Sequence, residues 1–308
     1  MDALNTLMPV FFMLILGYIS KRKGWISEEQ KNGANALVFN ILFPIMIFNL
    51  MAGAKFDASK IGIILYVLIV FIVEFAIGKI VTPKLTPKYS HFASYLITVV
   101  EGGNVSLPLY LSIVGISSNT VIYDIAGVTM CFIIFPFIVS KEASTTSDKG
   151  EMLKKIFSNT FVIAVLLGLL LNITGIYEKL LLSSFGKMIS STLSQAMQPI
   201  IPTILFILGY NLTIDKTSLQ PILKLIGLKT ILSTLVILGF FIFFPTQMSD
   251  PTYMIAPIIY FMSPTGFGLI SIIEPLYKSK EDESFTSGFV SMFMIVTLIV
   301  YTAVVLFV

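Results

Sequence analysis

Two short stretches place helix-breaking and polar residues in the middle of otherwise apolar sequence. One is EGGNVSLPLY, Glu101–Tyr110, and the other is MSPTGFG, Met262–Gly268. A glycine in a helix interior costs about 1 kcal/mol and a proline about 3, so several together predict unwound backbone. Backbone that leaves the helix at membrane depth persists only where protein packs on it or where it lines a wet cavity. Two such breaks at matching places in a chain are the sequence sign of a transport site. The competing reading is a pair of proline-kinked structural helices, because Gly and Pro are common in membrane spans.

The residue types suggest what the breaks would bind. Pro108 and Pro264 suit the first position of a new half-helix, where a missing N–H costs nothing. Ser263 and Ser106 suit the cap before each. Half-helices starting near the midplane would present unpaired N–H groups and partial positive charge to a carboxylate. Asn104 and Thr265 would add side-chain contacts, while Gly103 and Gly266 let the backbone approach the ligand. No Arg or Lys is expected inside the spans to do this work, so recognition is expected from backbone.

Glu101 stands about eleven residues into its span, where an ionised carboxylate costs roughly 2.5–3.5 kcal/mol. Burial and the negative end of the preceding half-helix both favour its protonated form. It is the expected coupling group, carrying a proton or holding sodium with Asn104 and freed carbonyls. A neutral Glu bonded between helices is the plainer alternative. Glu74 is read as structural, paired with Lys79, and Glu274 as interfacial. Asn40, Asn49, Tyr210 and Asn211 either bond across helices or face the cavity. Trp25 beside Lys21–Lys23 is an interfacial anchor.

The elements that must position these residues are apolar stretches near 3–20, 36–54, 61–80, 90–115, 119–140, 158–176, 190–211, 220–244, 252–276 and 287–308. Each is long enough to cross a bilayer. With the N-terminus outside, all but Lys55, Lys60, Lys179 and Lys187 of the 20 Lys and Arg fall on the cytoplasmic side, Lys31 and Lys229 included. The positive-inside rule then puts both termini outside. The first stretch is read as a permanent helix, since Asp2 replaces a basic n-region.

A hydrophobic fraction of 56%, 12% charged residues and a mean hydropathy of +0.92 leave no room for a soluble catalytic domain. No basic stretch interleaved with aromatics suggests nucleic acid. Cys131 is the one cysteine, which excludes an intrachain disulfide. His91 lacks metal partners, and no P-loop, GxSxG or HExxH pattern occurs in a usable context. No catalytic residue, metal site or cofactor is expected.

The polar connection 141–157 divides the spans five and five, giving a first repeat at 1–140 and a second at 158–308. Halves with an odd number of spans run in opposite directions, as an inverted repeat requires. A faint internal likeness lays the second span on the seventh, with Pro44 on Pro202, Phe48 on Phe206, Leu50 on Leu208 and Asp57 on Asp215.

NALVFNILFPIMIFNLMA, the polar fourth span ending LPLYLSIVG and the proline-bearing ninth span together resemble the auxin efflux carrier family, in its short bacterial members. The likeness covers essentially the whole chain. It implies an all-α membrane protein of ten transmembrane helices in two inverted five-helix repeats, with broken helices 4 and 9 crossing at the substrate site, similar to the bile acid–sodium symporter fold. It also implies transport of organic anions such as malate or malonate. The chain departs from the pattern where EGGNVSLPL stands for a stretch like NTGFIGLPL, putting Glu101 where Asn is frequent. The connection at 141–157 is far shorter than in plant carriers, so auxin is not the expected substrate.

The expectation is therefore a multi-pass plasma-membrane transporter of a small carboxylate, working by alternating access and coupled to H+ or Na+. The alternative is a ligand sensor or channel-like protein of the same fold without coupled flux. The expected partners are the small organic anion and the lipid bilayer, with a homodimer left open.

Overall fold

The computed structural model describes residues 2–54, 58–100, 102–143, 158, 160–212 and 219–307, leaving out the side chains of Asp2, Ala58, Ser59, Asn104, Phe267 and Ser271. All of its regular structure is helical. Among the described residues, seven helices are long and apolar enough to cross a membrane. These are α1 (Asp2–Lys23), α2 (Glu28–Ala52), α3 (Ala58–Leu85), α6 (Asn119–Glu142), α9 (Gly186–Asn211), α10 (Leu219–Phe243) and α13 (Lys280–Phe307).

The remaining apolar stretches are interrupted. The fourth is α4 (Ser90–Leu96), a gap, a π-turn at Gly102–Ser106 and α5 (Leu107–Val114). The sixth is α7 (Thr160–Ile173), bent by 74° into α8 (Ile176–Leu182) at Gly175, whose φ of +66° favours glycine. The ninth is α11 (Pro251–Phe261), an extended break, and α12 (Phe267–Ile273).

Local chemistry sets several boundaries. α2 starts eight residues before the apolar stretch at 36, because Ser27 and Gln30 form a reciprocal capping box with bonds of 3.2 and 2.9 Å. Such a cap contributes about 0.5–2 kcal/mol. α13 likewise starts at Lys280, ahead of 287, with Glu281, Asp282 and Glu283 in a first turn that favours acids.

Three π-turns, Val38–Leu42, Gly102–Ser106 and Thr129–Ile134, each end two residues before a proline: Pro44, Pro108 and Pro136. A proline ring clashes with the carbonyl four residues back, and a widened turn moves that carbonyl aside without ending the helix.

Packing pairs helices from the two halves. α1 lies along the second part of α9, where a side chain at Gly17 would overlap the Phe206 carbonyl. α7 lies along α2, where a Cβ at Gly168 would come within 2.9 Å of the Phe48 carbonyl. α3 and α10 pack together, with the Tyr66 hydroxyl donating to the Val236 carbonyl at 2.9 Å. The connection before α4 and the first turn of α4 are tied to the start of α13 by Lys88–Glu281 at 2.5 Å and His91–Asp282 at 3.2 Å.

One sequence assignment changes. Lys31, Lys60 and Lys229, counted with the loops, lie in helices and are 9%, 4% and 1% exposed. A lysine at the edge of an apolar run has the same local signature whether water or packed protein surrounds it. Of the connection at 141–157, residues 144–157 lie outside the described residues.

Candidate functional site: two broken helices joined by a buried lysine

α4 ends at Leu96, and the fold brings the break of the ninth stretch onto that end. The Thr265 hydroxyl donates to the Leu96 carbonyl. Lys229 Nζ, reaching in from α10, lies 3.4 Å from the Leu96 carbonyl, 3.3 Å from the Val99 carbonyl and 3.3 Å from Thr265 Oγ1. Carbonyls released by an unwound segment need donors when buried, and here one ammonium serves two of them. The Lys229 cation also faces the Phe293 ring at 5.4 Å. No Lys was expected inside the spans, yet Lys229 stands buried at the meeting point of the breaks.

Glu74 of α3 is 4% exposed and within electrostatic range of Lys229. Its expected pairing with Lys79 is not made. Lys79 Nζ instead contacts both oxygens of Glu142, at 2.6 and 2.8 Å, and the Tyr95 hydroxyl joins that carboxylate at 3.0 Å. Glu74 and Lys229 thus place an acid and a base near one another behind the breaks, where burial makes either charge costly alone.

The serines and prolines lie where the sequence places them but act differently. Ser106 Oγ donates to the Gly102 carbonyl at 3.1 Å and Ser263 Oγ to the Ile259 carbonyl at 2.7 Å. Neither caps N–H groups, because both hydroxyls turn back onto the preceding turn. Pro108 follows Leu107 in a helix already running from the π-turn at Gly102, so it does not begin the half-helix. Pro264 sits in the extended break before Phe267, the first residue of α12. Thr297 of α13 closes the end of α11, donating to the Met262 carbonyl at 2.6 Å. Glu101 and the Asn104 side chain lie outside the described residues.

Asp124, which the sequence reading passed over, holds the fourth-span break from α6. Its Oδ1 accepts from the Tyr260 hydroxyl of α11 at 3.0 Å. A side chain at Gly102 would overlap its carboxylate, and one at Gly127 would come within 2.9 Å of the Tyr260 oxygen. An acid with a glycine three residues on, inside the fifth apolar stretch, was the available signal.

Two cavities flank the breaks, and Phe39 lines both. The larger, about 480 Å³, reaches Val105, Pro264 and Thr265 and carries Lys31, Asn35 and Asn211; none of its described lining residues is Asp or Glu. The smaller, about 270 Å³, reaches Gly102, Gly103 and Gly266 and carries Asp124 and Asn40. Asn40 and Asn211 are therefore cavity residues. Asn49 joins helices, accepting from the Tyr177 hydroxyl, and Tyr210 ties α9 to the connection between α1 and α2, donating to the Ile26 carbonyl at 3.1 Å.

Buried polar breaks from two apolar stretches, joined inside a bundle of apolar helices, define a polytopic helical membrane protein. A family model described as membrane transport protein matches residues 2–302 of the chain. The chain belongs to that family, which is that of the auxin efflux carriers. No curated protein matches it.

Proposed function

We propose that the chain is a secondary active transporter of a small organic anion, a carboxylate of the malate or malonate class, working by alternating access. The observation that carries this reading is the joined pair of breaks against the larger cavity. Thr265 stands both in the junction with Leu96 and Lys229 and in the wall that carries Lys31 and the amides. A cavity of about 480 Å³ with few convergent polar groups suits a small ligand. Gly103, Ser106, Pro108, Ser263, Pro264, Thr265 and Gly266 shape the substrate site, with Asn104 beside them.

The membrane architecture in this reading is ten spans in two inverted repeats, both termini outside, in the plasma membrane. Seven uninterrupted spans and three interrupted stretches support the number. The repeat is supported by paired packing. A glycine of α1 lies on the Phe206 carbonyl, a glycine of α7 lies on the Phe48 carbonyl, and these two phenylalanines fall together when the halves are aligned. Glu101 is the coupling carboxylate. Because Lys229 already supplies positive charge to the Leu96 and Val99 carbonyls, a proton suits the coupling role better than sodium.

Uptake into proteoliposomes tests this. Malate, malonate, succinate and lactate are offered under separate proton and sodium gradients. Saturable, gradient-driven accumulation of at least one is expected. Ligand binding with no flux for any of them would replace the transporter by a sensor.

A further inference from the structure

Among the described residues that line the larger cavity, Lys31 is the one Lys or Arg. Its Nζ lies 2.6 Å from Glu28 Oε1, three residues earlier on α2, and 5.9 Å from the centre of the Tyr210 ring. The partners live in different surroundings: the Lys31 side chain is 10% exposed and that of Glu28 is 62% exposed. A lysine set into a cavity wall needs a counter-charge at all times. Glu28 supplies it from the water side, through an (i, i+3) pair that is among the least costly ion pairs to open.

We infer that Glu28 is a built-in stand-in for the substrate, and that Lys31 reads the carboxylate of the transported anion. This rests on the transporter reading. As the anion enters, its carboxylate replaces Glu28 on the ammonium and Glu28 turns into water, so Lys31 is never left bare. The exchange is favourable because one carboxylate replaces another and the departing one regains full hydration. α2 is suited to hold the reader still, because the Ser27–Gln30 capping box fixes its first turn. Asn35 lies one turn beyond Lys31 and Asn211 comes from α9; both amides line the same cavity and can donate to an anion. The specificity that follows is for anions over neutral isosteres, with Glu28 setting the affinity by competition.

The test is uptake kinetics in proteoliposomes with malonate, malate and succinate, comparing wild type, Lys31→Met, Lys31→Arg, Glu28→Gln and the Glu28→Gln/Lys31→Met double variant. Melting in detergent checks that each is folded. Lys31→Met is expected to raise KM about tenfold, the loss of one charge-assisted hydrogen bond, with kcat changed less. Lys31→Arg should restore most of that loss. Glu28→Gln is expected to lower KM several-fold, and to have no effect once Lys31 is gone. Wild-type KM in folded Lys31→Met, with saturable anion uptake by wild type, overturns the inference and leaves the transporter reading intact. A KM raised by Glu28→Gln also overturns it, since the pair would then be structural. Absence of saturable uptake by wild type removes the transporter reading and this inference with it.

Discussion

Lys229 and Thr265, from α10 and from the break after α11, stand 3.3 Å apart and both reach the Leu96 carbonyl at the end of α4. Three separate stretches of chain therefore share one buried polar junction. An alternating-access cycle must carry this junction as a unit or open it. Opening would strand two carbonyls and an ammonium in an apolar setting, so movement as a unit is favoured.

Replacing Lys229 with Met keeps the volume but removes the donor to Leu96 and Val99 and the charge near Glu74. The expected cost is about 1–3 kcal/mol, because the buried Leu96 and Val99 carbonyls lose their donor. Adding Glu74→Gln should recover part of the loss. Melting in detergent checks both, and equal stability of the single and double variants would mean that the two charges are not coupled.

The glycines of the fourth-span break should differ in tolerance. A methyl at Gly102 overlaps the Asp124 carboxylate, which Tyr260 holds in place, so Gly102→Ala should cost about 1–3 kcal/mol. A methyl at Gly103 comes within 2.7 Å of the far end of the Phe43 ring, which can turn aside. Gly103→Ala should fold and lose transport through a filled cavity, and Gly266→Ala should behave alike. Expression level, melting and malonate uptake separate the two outcomes; a Gly102→Ala protein as stable as wild type would contradict the first.

Glu101→Gln is expected to keep the fold and abolish gradient-driven accumulation while substrate exchange continues. The neutral amide mimics the protonated acid but cannot release the proton. Counterflow and accumulation assays on the same vesicles check this. Normal accumulation would move coupling to another carboxylate, Glu74 or Asp124.

The orientation can be read with single cysteines in a Cys131→Ala background. A cysteine at Ser147 should react with an impermeant maleimide only from the cytoplasmic side, and one at Asp250 only from outside. The reverse pattern would invert the proposed topology.

Part of this architecture is written in local composition. Apolar runs mark the spans, the glycines and prolines of Glu101–Tyr110 and Met262–Gly268 mark the breaks, and residues 2–302 carry the family likeness. Each of these depends on a residue and its near neighbours, so it survives without knowledge of the fold. The positions at which half-helices begin did not follow, because Pro108 marks a preference while the π-turn from Gly102 already carries the helix. Ser106 and Ser263 could have capped N–H groups, but the surrounding helices leave their hydroxyls turned onto carbonyls one turn back. The fate of the charges was settled by packing between distant helices. Lys31 and Lys229 look in sequence like any basic residue near the end of an apolar run, and Asp124 like a stray acid. Burial brings Lys229 to the Leu96 and Val99 carbonyls, Asp124 to the Tyr260 hydroxyl and Lys31 into a cavity wall. The physical reason is that the cost of a charge is set by what surrounds it in space, and helices distant in the chain supply those surroundings.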